Sequence, residues 1–288
     1  MKKTLGDYVV LIISIVGSFA STVAFTTIFS DSLNAQGWLG VLFLGILAIF
    51  FLTYNFYLIS KYRKKVRYSD VFEELNYGFS SLHKIDRQEN QSSTQIIDGL
   101  VKLCNSISSA FTKVNGHQIS VCIKFIEEND GGRGKVTTLV RDEKSTTKGR
   151  KTGPMDKTNH WLDQNSDFNF FYSNFDDDSV DTSYFYKTRL PIREGYLNTR
   201  LKNNWPPKKV KFLNNLIRRK NWPLNYKSTL VVPIVPLLAN EQLKSGLRGF
   251  LCLDSQKEVA FNQHVDVEIL KGICDGLYNK IDKLHQLL

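Results

Sequence analysis

Residues 187–227 read KTRLPIREGYLNTRLKNNWPPKKVKFLNNLIRRKNWPLNYK and hold twelve Lys or Arg residues against one acid, Glu194. Tyr196, Trp205, Phe212, Trp222 and Tyr226 are interleaved with them. Basic heads screen phosphates, and an aromatic ring in solvent stacks on an unpaired base for about 1–3 kcal/mol. One reading is therefore contact with nucleic acid or a nucleoprotein, with Trp205, Lys208, Lys209, Arg218, Arg219, Lys220 and Trp222 as candidate residues. Two others stay open. The segment is solvated surface over core aromatics, or it rests on an anionic inner leaflet helped by Lys61, Arg63, Lys64, Lys65 and Arg67. Buried tryptophans would favour the solvated surface. Pro206, Pro207 and Pro223 make the segment turn-rich, with one short helix around Phe212 to Ile217 that ends at Arg218 to Lys220.

The other reactive residue types are scattered. His83, His117, His160, His264 and His285 stand apart, and no HExxH, GxSxG, P-loop or GxGxxG run occurs. Asp176, Asp177, Asp178 and Asp181 lack the spacing of a calcium loop and read as solvated loop. Asp254-Ser255 reads as a strand end. Cys104, Cys122, Cys252 and Cys274 occur singly, with no CxxC or Cys–His spacing, and read as small core residues in a reducing compartment. The sequence predicts no enzyme, no cofactor and no metal.

Two long apolar runs precede this region. Residues 8–30 and 37–59 contain no charged side chain, and each exceeds the roughly 20 residues that a helix needs to cross a bilayer. Lipid offers the backbone no hydrogen-bond partner, so both are predicted helices. A cleaved signal peptide fits poorly, because the first run is too long and a second follows it closely. Lys2 and Lys3 precede the first run, Lys61 to Arg67 follow the second, and the loop 31–36 has no Lys or Arg. Positive charge stays inside, which predicts a two-pass inner-membrane protein with both termini cytoplasmic. Lys2, Lys3, Asp7 and Asp31 cancel, so the formal net charge of +10 sits on the cytosolic part. Ser14, Gly17, Ser18 and Ser21 share one helix face, which suits packing between the two spans or self-association into a homo-oligomer.

The cytosolic part is predicted as a basic juxtamembrane segment with a connecting helix (61–93), then a globular domain (94–288). Tyr68, Phe72, Leu75, Phe79 and Leu82 have heptad spacing, which suits a short coiled coil or packing on the domain. Residues 88–95 read as a linker. A helical stripe follows at Ile97, Leu100, Cys104, Ile107 and Phe111. Residues 118–126 and 135–141 read as a hairpin across NDGGRG, and residues 142–157 as a long loop. Residues 226–255 supply a second hairpin. Residues 262–286 form a closing helix with Asn262 as its N-cap and Val265, Ile269, Ile273, Leu277, Ile281 and Leu284 as its stripe. The fold class is α+β: two N-terminal transmembrane helices, then an antiparallel sheet flanked by helices.

Ser228, Leu230, Pro233 and Ile234, followed by Gly249, Leu251, Leu253, Ser255 and Phe261, resemble the paired core strands of GAF domains. The resemblance covers roughly residues 94–286. It implies a sensing or docking module whose middle segment lines the ligand or partner site. The signature of the cyclic-nucleotide-binding members is absent. The whole layout resembles the two-transmembrane effectors of bacterial retron antiphage systems. That resemblance implies a toxin-like effector restrained by a nucleoprotein, a reverse transcriptase with its DNA–RNA product, and disrupting the inner membrane when released. The alternative is a membrane-anchored GAF-type sensor of an unknown small molecule that signals through a separate partner. A passive membrane tether is a third expectation.

Overall fold

The computed structural model describes residues 17, 18, 21, 35–87, 92–128, 134–147, 160–174, 179–191, 195–201, 219–236 and 246–287. The chain divides into two units, Met1–Arg67 and Tyr68–Leu288.

In the first unit helix α1 starts at Ala35, and it continues to Asp86 without a break at the unit boundary. Residues 37–59, the second expected span, are helical throughout. Large apolar side chains between Ile46 and Leu58 stand exposed, Phe50 at 68% and Phe56 at 76%. The polar groups among them bond back onto their own helix. Thr53 Oγ1 donates to the Ile49 carbonyl and Asn55 Nδ2 to the Phe51 carbonyl, both at 2.9 Å. Among the described residues no helix is long and apolar enough to cross a membrane. Of the first expected span only Gly17, Ser18 and Ser21 are described, and Ser14 lies outside. Ser21 Oγ donates to the Gly17 carbonyl at 2.5 Å, and nothing stands within 4 Å of where a Gly17 Cβ would be. Lys61, Arg63, Lys64, Lys65 and Arg67 fall on α1.

The second unit is built on β1 (Ile119–Glu128), β2 (Gly134–Arg141), β3 (His160–Trp161), β4 (Phe185–Lys187), β5 (Ser228–Ile234) and β6 (Gly249–Ser255). All pairings are antiparallel, in the order β3-β2-β1-β6-β5-β4. Alternation decides the two faces. Ile119, Val121, Ile123 and Phe125 of β1, Leu251 and Leu253 of β6, and Leu230, Val232 and Ile234 of β5 pack under long helices. Those are the later part of α1, α2 (Ser93–Asn115) and α5 (Gln263–Leu287). The opposite face carries Cys122, Ile126, Val231, Phe250 and Cys252, and packs against Leu162, Phe168, Phe171, Leu190, Tyr196 and Leu224. The α+β architecture with an antiparallel sheet and flanking helices therefore holds.

The motif residues have identifiable tasks. Ser228 lies opposite Ser255, and its Oγ donates to the Lys257 carbonyl at 2.8 Å. Lys257 N–H donates to Ser255 Oγ at 3.1 Å, so the two serines pin the turn after β6. Gly249 faces Phe125 where two strands meet closely: a Cβ there would stand 2.1 Å from the Lys124 carbonyl oxygen.

One open alternative is decided, and two expectations need correction. Val71, Leu75 and Leu82 are core residues of the second unit while Phe72 is 60% exposed, so the stripe is spent on the module rather than on a coiled coil. Gly78 makes that approach possible, since a Cβ there would meet Leu103 Cδ1 at 2.8 Å. The linker 88–95 ends early, because Ser92 caps α2 through a reciprocal capping box with Gln95. The loop 142–157 opens with an ordered turn, α3 (Glu143–Thr147), fixed by Asp142. The Asp142 carboxylate accepts Val121 N–H at 2.7 Å and Ser145 N–H at 2.9 Å. Residues 148–157 lie outside the described residues.

Candidate functional site

The sheet face turned away from the long helices is where polar groups collect. β1 contributes Cys122 and Lys124, β5 Thr229, and β6 Cys252 and Asp254. Arg141 joins them from β2 because of a bulge. The β1–β2 register shifts between Ile123 and Lys124, so that Lys124 pairs with Thr138 but Ile123 with Val140. The extra residue, Leu139, reverses the alternation of β2 and brings Arg141 opposite Cys122, on the same face. Helix α4 (Ser166–Asn174) lays Asp167 and Phe168 across the group.

The outer wall is held by side-chain hydrogen bonds. Asn165 Oδ1 accepts Thr199 N–H at 3.1 Å, and Leu197 N–H donates to Ser166 Oγ at 2.6 Å. Asn198 Nδ2 donates to the Tyr226 hydroxyl at 3.1 Å, which lies 3.0 Å from the Tyr196 hydroxyl. Together these elements enclose a cavity of about 100 Å³. A water takes up about 30 Å³ in the liquid, so the space suits a few waters or one compact ion. A drug-sized or nucleotide ligand needs ~300 Å³ or more.

Charge in the cavity is mixed but leans positive. Arg141 is buried, and its Nε and Nη1 have no hydrogen-bond partner among the described residues. Burial works against its charge, but Cys122, Asp254 and Asp142 hold the cation in place. A buried charged donor left unmet costs more than the ~1–3 kcal/mol of a neutral one. Lys124 Nζ donates to Thr138 Oγ1 at 3.1 Å and stands 5.5 Å from the Phe168 ring centroid. Asp254 Oδ1 accepts the Thr229 hydroxyl at 2.9 Å. Burial pushes the Asp167 carboxyl up to about 7, with Lys124 opposing and Asp254 reinforcing the shift. With Asp167 protonated, Lys124 and Arg141 face Asp254 alone among the carboxylates lining the cavity.

The sequence-derived candidates lie elsewhere. Trp205, Lys208, Lys209 and Arg218 are outside the described residues. Arg219 and Lys220 are exposed, and Arg219 Nη2 pairs with Glu258 Oε2 at 2.9 Å. Trp222 is half-buried against the second core cluster, 6.5 Å from Tyr196 by ring centroids, and its indole N–H donates to the Tyr226 carbonyl. Its ring is packed rather than offered for stacking. The four cysteines are buried core residues, as expected, and Cys122 and Cys252, in the second core cluster, also line the polar cavity. Asp181 accepts Ser183 N–H at 2.9 Å, and Asp176 to Asp178 lie outside the described residues. Among the described residues no cluster of His, Cys, Asp and Glu is arranged to hold a metal.

No family model matches the chain, and no curated protein matches it. Solved structures do. The GAF domain of an Acinetobacter phosphoenolpyruvate-protein phosphotransferase is 12% identical over 75% of this chain and 96% of its own, with a TM-score of 0.42. A type II free methionine-R-sulfoxide reductase from Thermoplasma acidophilum is 13% identical over 66% of this chain and 96% of its own, with a TM-score of 0.38. The chromophore-binding domain of a bacteriophytochrome from R. palustris is 9% identical over 76% and 64%, with a TM-score of 0.40. The chain is similar to these in layout, and no ligand or activity follows from that likeness.

Proposed function

We propose that this chain is a membrane-anchored receptor whose Tyr68–Leu288 unit binds a small anion in the cavity at Arg141. The observation that carries the reading is the buried Arg141 guanidinium in the wall of a space of about 100 Å³, with two N–H groups that have no partner among the described residues. A carboxylate- or nitrate-sized anion fits that volume and carries the charge that a guanidinium binds. The exposed, charge-free stretch between Ile46 and Leu58 supports the anchor, since water is a poor solvent for such a surface. The test is thermal unfolding of the full chain in detergent with formate, acetate, nitrate and phosphate. A ligand at 100 times its Kd stabilises by about 2.7 kcal/mol. At least one anion raises the midpoint of wild type saturably and leaves Arg141→Met unmoved. Equal shifts in both proteins, or none in wild type, refute the reading.

The same exposed stretch favours a finer reading of the output. In it the chain is an inner-membrane effector of an antiphage system. A reverse transcriptase with its DNA–RNA product restrains it, and release breaches the membrane through spans that assemble along Ser14, Gly17, Ser18 and Ser21. Cells that make the chain without a partner then lose membrane potential and admit an impermeant dye. Gly17→Leu and Ser21→Leu reduce that leak. A steady potential after partner removal and after infection rules this output out and leaves the receptor reading standing.

A further inference from the structure

Cys122 and Cys252 are the central pair of two neighbouring strands. In the β1–β6 register they stand directly opposite one another. Residues directly opposite in an antiparallel pair have Cα atoms roughly 4.5 or 5.5 Å apart, and both spacings lie in the range of a disulfide. Both side chains point to the cavity face, both line the cavity, and both are free thiols. Arg141 is placed opposite Cys122 by the bulge in β2. Cys104 and Cys274 provide the contrast. They belong to the apolar cluster under the helices, and burial pushes both thiols up.

We propose that Cys122 and Cys252 are an oxidisable dithiol, converted by a hydroperoxide that enters the cavity into one cross-strand disulfide. The hydrogen bond from Cys252 holds the Cys122 thiol below its usual range; burial opposes this, and Arg141 and Lys124 assist. Cys122 is therefore the attacking sulfur and Cys252 the proton-bearing partner. In the first step Cys122 Sγ attacks the outer peroxide oxygen. The O–O bond breaks, an S–O bond forms, and the departing alkoxide or hydroxide takes up a proton. In the second step Cys252 Sγ attacks Cys122 Sγ. The S–O bond breaks, the S–S bond forms, and the leaving hydroxide accepts the Cys252 proton as water. Two thiols and one hydroperoxide thus give one disulfide, one alcohol (water, for hydrogen peroxide) and one water. Hydrogen peroxide is little larger than water and fits the cavity. Opposed Cβ atoms roughly 4.5–5.5 Å apart must close by about 1 Å to reach disulfide spacing, which keeps the bond reducible by a dithiol. The proposal rests on strand register and holds whether or not the cavity also takes an anion.

The test uses the full chain in detergent, treated with graded hydrogen peroxide and digested without reductant. Wild type, which carries no substitution, yields the peptide pair linked through Cys122 and Cys252, and dithiothreitol reverses it. Cys252→Ser cannot close the bond and accumulates a dimedone-reactive sulfenic acid at Cys122. Cys122→Ser yields neither the linked peptide nor an adduct at residue 252. Absence of the linked pair from wild type at peroxide concentrations that oxidise methionine overturns the proposal. So does sulfenic acid at Cys104 or Cys274 to the same extent as at Cys122.

Discussion

Replacing Asp167 by Asn tests whether the cavity is as dry as its walls imply. The two side chains are nearly isosteric, so the change removes a titrating group without opening space. The folded carboxyl is shifted from its usual 3.8 to about 7, chiefly by burial. At 1.36 kcal/mol per unit, a shift of about three units is worth roughly 4 kcal/mol. The folded state holds this proton more tightly than the unfolded chain does. Its contribution is therefore fully present below about pH 4, is lost as pH rises toward 7, and changes no further above that. Asp167→Asn escapes the loss. At pH 4 the variant and wild type unfold at similar temperatures, and by pH 8 the variant is the more stable by up to ~4 kcal/mol. With roughly 2–4 °C per kcal/mol for a unit of this size, the ceiling is on the order of 10 °C. The measurement is the difference in thermal midpoint between the two proteins in detergent, taken from pH 4 to pH 8. A difference that does not vary with pH, or that favours wild type at pH 8, refutes the account of a desolvated carboxyl.

Gly249→Ala forces a Cβ to 2.1 Å from the Lys124 carbonyl oxygen, so β1 and β6 must separate. The expected loss is more than about 3 kcal/mol, read as a fall in thermal midpoint or a failure to accumulate. Gly116→Ala, in open space at φ 72°, costs only about 1–2 kcal/mol by the same measurement. Arg at both Phe50 and Phe56 puts two charges into the apolar stretch at about 2.5–3.5 kcal/mol each in a bilayer. The chain then leaves alkali-washed membranes, and full retention contradicts the anchor. Trp222→Ala lowers the unfolding midpoint through lost packing, whereas Lys220→Ala leaves it within about 0.5 kcal/mol of wild type. Disulfide formation removes negative charge beside Arg141, so peroxide-treated protein binds its anion at lower concentration than reduced protein, as a titration followed by thermal shift can show.

The hairpins were readable because period-two alternation survives in QISVCIKFI and because Gly249 to Ser255 run apolar between turn residues. The closing helix was readable too, and Asn262 does accept the His264 N–H at 3.2 Å. Its first turns were not. Val265, which the stripe places inward, is exposed, and the neighbouring Asp266 is buried instead. The reason is a polar contact across the module: Tyr68 donates to Asp266 Oδ1 at 2.7 Å and Asn262 N–H to Oδ2 at 2.8 Å. A paired buried carboxylate looks like a surface residue in any hydropathy pattern. The cavity was invisible for a related reason. Its members come from five elements far apart in sequence, β1, β2, β5, β6 and α4, and Arg141 reaches them only through a bulge that strict alternation does not foresee. The available signal was the even-numbered side of β1, where Cys122 and Ile126 flank Lys124 on the side that alternation assigns to solvent. The basic run of residues 187–227 stood out in composition, yet its described tryptophan is engaged in packing.

The descending half of α1 is not a stalk on which a finished domain is mounted. Val71, Leu75 and Leu82 lie in the same cluster as the sheet and the closing helix, and Tyr68 supplies a hydrogen bond to a carboxylate hidden there. A fragment cut at residue 94, where a domain border looks natural on paper, is born with a groove along its main core and without the Tyr68 hydroxyl that donates to Asp266 Oδ1. Pieces cut for crystallisation or binding work have to begin no later than Tyr68, and grafting this unit onto another protein means carrying this stretch of helix along with it.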